Sequence, residues 1–273
     1  MKKFILLLII LSGVLFYYVF ANREKPVLVI GMECDYVPNN WEENKSTDSN
    51  FPIENHEGFY AEGYDLQIAK LIAENAGYTL KVKKFDWDYL LDALEGKEID
   101  AIFSGMLDTD ERKKRAAFSD PYEIVENEYV IMVNRSSKYV NAEKFEDFNG
   151  AVIAAQKDST LDEAVEQIPD VVHAKPLVSV SDLLKHAVDG KVDAIVINYD
   201  TAQTYEGIYG KYLKTVRFPK GYGFIMGFNG TCAAVRKQDK KLLENINNAL
   251  SKISKRERQR VMDMTLVRVW KNL

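Results

Sequence analysis

Apolar positions along the chain change period in a regular way. Val27-Leu28-Val29-Ile30-Gly31 is a short continuous apolar run, the signature of a buried strand. Leu66, Ala69, Ile72, Ala73 and Ala76 then recur at helical spacing, and Gly77 supplies the stop. Leu80-Lys81-Val82-Lys83-Phe85 roughly alternates as a strand. A short helix over Tyr89 to Glu95 ends at Gly96, and Ile99 to Phe103 forms the next strand. Strands alternating with helices predict an α/β chain whose helices cross between mainly parallel strands.

One unit of this pattern occurs twice. Leu90-Leu91-Asp92-Ala93-Leu94-Glu95-Gly96-Lys97-Glu98-Ile99-Asp100-Ala101-Ile102 resembles Leu183-Leu184-Lys185-His186-Ala187-Val188-Asp189-Gly190-Lys191-Val192-Asp193-Ala194-Ile195. Each copy reads as helix, glycine turn and buried strand, with the glycine shifted by one position. The repeat predicts two similar α/β lobes. Ligands of open α/β sheets bind beyond the carboxyl ends of the strands. Those ends, Ser104-Gly105 and Ile197-Asn198, are expected to face each other across a cleft.

The first segment breaks the pattern. Lys2 and Lys3 precede an apolar run from Phe4 to Ala21, interrupted by Ser12 and Gly13. A charged start followed by such a run is an export signal. Residues 1–21 are therefore expected to be a signal peptide cleaved after Val19-Phe20-Ala21, or an uncleaved membrane anchor. Leu11-Ser12-Gly13-Val14 lacks the cysteine that lipid attachment would need. The expected location is outside the cytoplasm, at the cell surface or in the periplasm, with tethering if the segment stays.

Composition narrows the partners. Apolar residues make up 47% and charged residues 28%, which fits a globular chain rather than a disordered one. The net charge of −5 comes from interleaved acids and bases with no basic stripe, so no nucleic acid partner is expected. Cys34 and Cys232 either pair after export or stay as two isolated, partly buried thiols. His56, His173 and His186 lie far apart without ligand spacing, so neither a metal nor another cofactor is expected.

The candidate chemistry lies at strand ends. Ser104 to Arg112 runs from a strand into a helix whose N-cap is Thr109. Arg112 then sits in the first turn, where a cation opposes the helix dipole. An anionic ligand would offset that cost, because a guanidinium grips a carboxylate through two parallel hydrogen bonds. The competing use of Arg112 is a surface pair with Asp108 or Glu111. In the second half, Ser159-Thr160-Leu161-Asp162-Glu163 opens a helix with a capping-box pattern from Thr160 to Glu163, and its free amides could meet the same carboxylate. Tyr36, Trp41 and Trp87 follow strands and could sandwich a ligand stem or cover a cation. The densest charge run, Lys255 to Arg260, reads as a solvated helix face, with docking to a membrane partner as its other use.

On these residues the chain resembles the type II extracytoplasmic solute-binding proteins of amino acid ABC transporters, bacterial solute-binding protein family 3. The strongest stretch is Ser104 to Tyr122, ending in Phe118-Ser119-Asp120-Pro121-Tyr122. It is supported by Gly31 to Pro38, by Gly63-Tyr64-Asp65 and by Trp87 before Leu90. The resemblance implies two α/β lobes joined by two hinge strands, near Glu123 to Glu126 and Phe228 to Thr231. Residues 26–125 plus 229–273 would form lobe 1, and 126–228 lobe 2. It implies a monomer that captures a small amino acid-like carboxylate by lobe closure and presents it to a membrane permease of an ABC importer. Arg112 matches the arginine that holds the α-carboxylate, and Ser159 and Thr160 match the helix start that completes the clamp. Tyr36 and Trp87 match the aromatic pair, Glu33 and Ser104 match contacts to side chain or ammonium, and the Gly105 carbonyl accepts from the ammonium.

Three residues depart from the family pattern. Leu107 stands where Ser or Thr is usual, Asp158 where glycine is usual, and Asn198 where an acid usually pairs with the α-ammonium. Losing that ion pair would cost about 2–5 kcal/mol unless Asp158, Asp200 or Glu33 substitutes. Two other readings use the same fold. A dehydratase-like enzyme would need an acid or base in the cleft, which Glu33 or Asp200 could supply, yet no paired catalytic constellation stands out. A ligand sensor would be expected to carry a second span or a cytoplasmic domain.

Overall fold

The computed structural model describes residues 24–123, 129–219, 222–225 and 230–271. The expected signal segment, 1–21, lies outside the described residues, as do 124–126 and 228–229 of the two expected hinges.

Fourteen strands run in order among the described residues: β1 (Val27–Met32), β2 (Asp35–Tyr36), β3 (Asn40–Glu43), β4 (Phe51–Pro52), β5 (Tyr60–Glu62), β6 (Thr79–Lys84), β7 (Ala101–Ile102), β8 (Ala116–Phe118), β9 (Tyr129–Asn134), β10 (Val152–Ala154), β11 (Val172–His173), β12 (Ala194–Asn198), β13 (Leu213–Val216) and β14 (Ala234–Arg236). The helices are α1 (Tyr64–Ala76), α2 (Leu90–Glu95), α3 (Asp110–Arg115), α4 (Thr160–Val165), α5 (Val180–Val188), α6 (Tyr199–Tyr209), α7 (Lys240–Leu250) and α8 (Lys255–Lys271).

Two five-stranded sheets result, ordered β6-β1-β7-β14-β8 and β11-β10-β12-β9-β13. They share one plan. The strand that ends each sequence repeat, β7 or β12, is central, with a parallel neighbour on one side and an antiparallel one on the other. The repeat also fixes equivalent side chains. Asp100 receives the Val29 amide at 3.0 Å, and Asp193 receives the Val152 amide at 2.9 Å. The expectation of mainly parallel strands is corrected: β8, β9, β13 and β14 all pair antiparallel. Strands β9 and β14 follow the two passages of the chain between the lobes, and each enters its sheet in the opposite direction. A small antiparallel sheet, β2-β3-β5-β4, borders the first lobe.

Each main sheet is covered on both faces, which is why its central strands read as unbroken apolar runs. In β12, Ala194 and Val196 pack into one cluster while Ile195 and Ile197 pack into the other. In β1, Leu28, Ile30 and Met32 face α1 and α7, and Val29 faces α2. Fully burying each large aliphatic side chain contributes about 1.5–3 kcal/mol. Helix α1 ends where predicted: Gly77 is left-handed at φ 75°, and the Tyr78 amide returns to Ala73 O at 2.8 Å.

Of the two readings for Cys34 and Cys232, the structure has both thiols free, and both are buried. The charge run starting α8 is not uniformly solvated, because Arg258 donates to the carbonyls of Pro121 at 3.0 Å and Tyr122 at 3.3 Å.

Candidate functional site

The lobes meet over a cleft lined by residues of both, the kind of interface that small-molecule sites favour. The first lobe supplies the strand ends. Glu33 follows β1, and its amide donates to Ser104 Oγ at 3.1 Å, locking two strand ends together. Gly105 is left-handed at φ 60°, and a Cβ there would sit 3.2 Å from the Tyr36 ring, so glycine keeps this wall thin. Asp65 is buried beneath and accepts from Tyr122 at 2.6 Å and Asn40 at 2.8 Å. Burial pushes its carboxyl up to about 6 despite these donors.

Thr109 caps α3, accepting the Arg112 amide at 3.2 Å. Arg112 is buried, unlike a surface arginine. Neither expected competitor holds it, since Asp108 pairs with Lys113 and Glu111 with Lys114. The guanidinium lies 5.0 Å from the Trp87 ring centroid and donates to Leu107 O at 3.1 Å and Asp158 O at 3.2 Å. Among the described residues no carboxylate lies within ion-pair distance of it. Burial lowers its proton affinity, as expected for a cation held away from water.

The second lobe supplies a turn and a strand end. Asp158 is left-handed at φ 56°, a conformation that aspartate tolerates better than most residues. Its carbonyl faces Arg112 and Trp87, while its carboxylate points outward and is 67% exposed near Lys157. The expected negative charge beside the carboxylate site is therefore directed away from it. The turn makes Ser159 the N-cap, with its hydroxyl accepting from Leu161 N at 3.2 Å and Asp162 N at 3.3 Å. This corrects the expected box from Thr160 to Glu163, which is one residue late. Thr160 instead shares a 2.5 Å hydrogen bond with the Tyr129 hydroxyl.

Several contacts join the lobes, so the cleft is closed. Gln156 donates to Glu33 Oε2 at 2.7 Å, and Tyr36 Oη donates to Asn198 Oδ1 at 2.7 Å. Asp35 accepts from Ser179 Oγ at 2.7 Å and Ser181 N at 3.1 Å, and its other oxygen binds Ser181 Oγ. Lys157 meets Asp88 at 2.7 Å.

All ten sequence-selected residues line this one cleft: Glu33, Tyr36, Trp87, Ser104, Gly105, Arg112, Ser159, Thr160, Asn198 and Asp200. Ile197, the other expected strand-end residue, turns into the core because its neighbour Asn198 takes the cleft side. Trp41 lies elsewhere, its indole donating to Glu43 at 2.8 Å. Sequence reasoning did not select Asn39, Glu123, Tyr129, Gln156, Leu161, Thr201 and Thr231 as ligand contacts. Gln156 had a usable signal, since it lies two residues past the end of β10. Tyr129 begins an antiparallel strand, so its start, not its end, meets the cleft.

The lining is acidic. Among the described residues the acids Glu33, Glu123 and Asp200 line the cleft together with one cationic side chain, Arg112. Burial pushes the Glu33 carboxyl up to about 8, with Asp35 and Asp65 acting the same way, while Gln156 and Lys84 pull it down. Burial pushes Glu123 to about 8 as well.

Comparison with known proteins follows the same outline. The sequence profile of the bacterial extracellular solute-binding proteins, family 3, matches residues 28–263. The chain is similar to an L-arginine-binding protein of Pseudomonas aeruginosa, 30% identical over 92% of this chain and 90% of the relative. It is also similar to the arginine-binding extracellular protein ArtP of Bacillus subtilis, 26% identical over 85% and 83%. A crystal structure of the substrate-binding protein of an amino acid ABC transporter superposes with a TM-score of 0.72 at 30% identity, covering 87% of this chain and 98% of its own.

Proposed function

We propose, from the premise that this chain belongs to the bacterial extracellular solute-binding proteins of family 3, that its cleft takes a cationic amino acid of the arginine class. The chain is the extracytoplasmic substrate-binding component of an amino acid ABC importer, a binding protein rather than an enzyme. Its partners are a small-molecule ligand and a membrane permease.

The observation that carries the ligand class is charge. Among the described residues three acids and one guanidinium line the cleft, and an amino acid with a cationic side chain brings two cations and one carboxylate. Burial pushes the Glu33 carboxyl up to about 8, and a cationic side chain delivered by the ligand favours its ionised form, which a neutral or acidic side chain cannot do. Arg112 receives the ligand carboxylate, with the helix start at Ser159 and Thr160 opposite. Glu33 receives the side-chain cation, and Tyr36 and Trp87 pack along the stem. Ser104, the Gly105 carbonyl, Asn198 and Asp200 border the remaining polar groups. Two relatives named for arginine binding support this class.

Closure proceeds by rotation of 26–125 plus 229–273 against 126–228 about the two crossings, and the protein acts as a monomer because its own two lobes complete the site. The N-terminal apolar segment directs export and, if retained, tethers the protein to the membrane.

A thermal-shift panel of amino acids tests the reading. A ligand at about 100 times its dissociation constant stabilises by about 2.7 kcal/mol. Arginine, lysine and ornithine should raise Tm, and glutamate and leucine should not. A response confined to acidic or apolar amino acids would reject the reading.

A further inference from the structure

One cleft carboxylate falls at the passage between the lobes. Glu123 and Thr231 form an antiparallel bridge where the two crossing segments run side by side. The Thr231 amide donates to Glu123 O at 3.1 Å, and the Tyr122 amide donates to Thr231 O at 2.9 Å. Gly230 permits this approach, because a Cβ there would lie 2.0 Å from Glu123 O. The backbone of Glu123 is thus fixed from both strands. Its side chain lines the cleft beside Thr231, whose hydroxyl donates to Glu123 Oε2 at 3.0 Å.

Burial, with Asp65 and Asp200 adding to it, disfavours the charged form of this carboxylate, and the Thr231 hydroxyl only partly offsets that. Among the described residues no lysine or arginine lies within ion-pair distance of it. A half-buried acid lining the cleft in this setting gains most from a cation delivered by the ligand. Across the cleft, Asn198 carries no charge, and its carbonyl oxygen already accepts from Tyr36 at 2.7 Å. The Asp158 carboxylate points outward beside Lys157.

We propose that Glu123 is a ligand-binding residue that receives the α-ammonium of the bound amino acid and so ties ligand recognition to the crossing between the lobes. This rests on the cationic amino acid reading of the cleft. The ligand then spans two acids: Glu33 takes its side-chain cation and Glu123 its α-ammonium.

The test is calorimetric titration of the purified protein with L-arginine and with 5-guanidinopentanoate, which lacks only the α-ammonium. Wild-type protein should prefer arginine by about 30-fold or more, the span of a buried charge pair. Glu123→Gln keeps an acceptor for Thr231, so melting curves should show a folded protein, and the preference should shrink to within about threefold. Glu33→Gln and Asp200→Asn should weaken both ligands together and keep the ratio. A Glu123→Gln protein with the wild-type ratio overturns the proposal, as does an Asp200→Asn protein that alone loses it. A wild-type protein that binds no basic amino acid overturns the cationic reading itself, and this inference with it.

Discussion

The Arg112 guanidinium reaches across the cleft to the Asp158 carbonyl at 3.2 Å while lying 5.0 Å from the Trp87 ring centroid. A first-lobe cation thus rests on a second-lobe turn, with its charge matched by carbonyls and a π-face rather than by an acid. A carboxylate entering here would gain a partner desolvated in advance.

Removing that partner should be severe. Arg112→Ala should weaken L-arginine binding by about 2–5 kcal/mol, the cost of stranding a buried charge. Agmatine, which is arginine without its carboxylate, should lose far less. Calorimetry with both ligands checks this, and equal losses would deny Arg112 its carboxylate role.

Affinity for a cationic ligand should rise with pH up to about 8, the value to which burial pushes the Glu33 and Glu123 carboxyls. The sign follows from linkage. A bound cation favours the ionised carboxylate and lowers its proton affinity, so binding between the two values releases a proton. Below about 8 each pH unit should cost up to about tenfold in affinity for each proton released. Titrations in buffers of different ionisation enthalpy count the protons, and Glu33→Gln should reduce that count. Proton uptake on binding would contradict this arrangement.

Closure depends unequally on the contacts between lobes. Asp35 accepts three hydrogen bonds from Ser179 and Ser181 at the start of α5, and hydrogen bonds to a charged group contribute about 1.5–3 kcal/mol each. Partial exposure of Ser181 discounts that figure. Asp35→Ala should therefore lower ligand affinity about tenfold and enlarge the radius of gyration seen by X-ray scattering. Lys157→Ala should change affinity by threefold or less, about the worth of an exposed ion pair.

The cap at α4 separates two neighbouring hydroxyls. Ser159→Ala removes the acceptor for the Leu161 and Asp162 amides and should cost about 1 kcal/mol in urea unfolding without ligand. Glu163→Ala should cost little, since no box closes between Thr160 and Glu163. A larger loss for Glu163→Ala would reinstate the later cap.

Much of this architecture was legible in the chain because it rests on local pattern. The two copies of helix, glycine and Asp-Ala-Ile strand marked β7 and β12 as equivalent buried strands of two lobes, and the strand-end rule brought Ser104, Gly105 and Asn198 to one cleft. Features that depend on where the chain returns were not legible. Tyr129 enters the cleft through the beginning of an antiparallel strand, and Glu123 through a bridge to a residue 108 positions later. The α4 cap slipped by one residue because Ser159 and Thr160 both suit the role, and the left-handed Asp158 selects the first. The outward turn of the Asp158 carboxylate depends on that same backbone conformation, which no side-chain pattern signals.

The most direct test of the account compares L-arginine with L-citrulline, its neutral near-isostere, by calorimetric titration at pH 8. The acidic lining predicts that arginine binds more tightly by about 30-fold or more, as a buried Glu33 would require. Equal affinities, or tighter binding of citrulline, would contradict capture of a cationic side chain by this cleft.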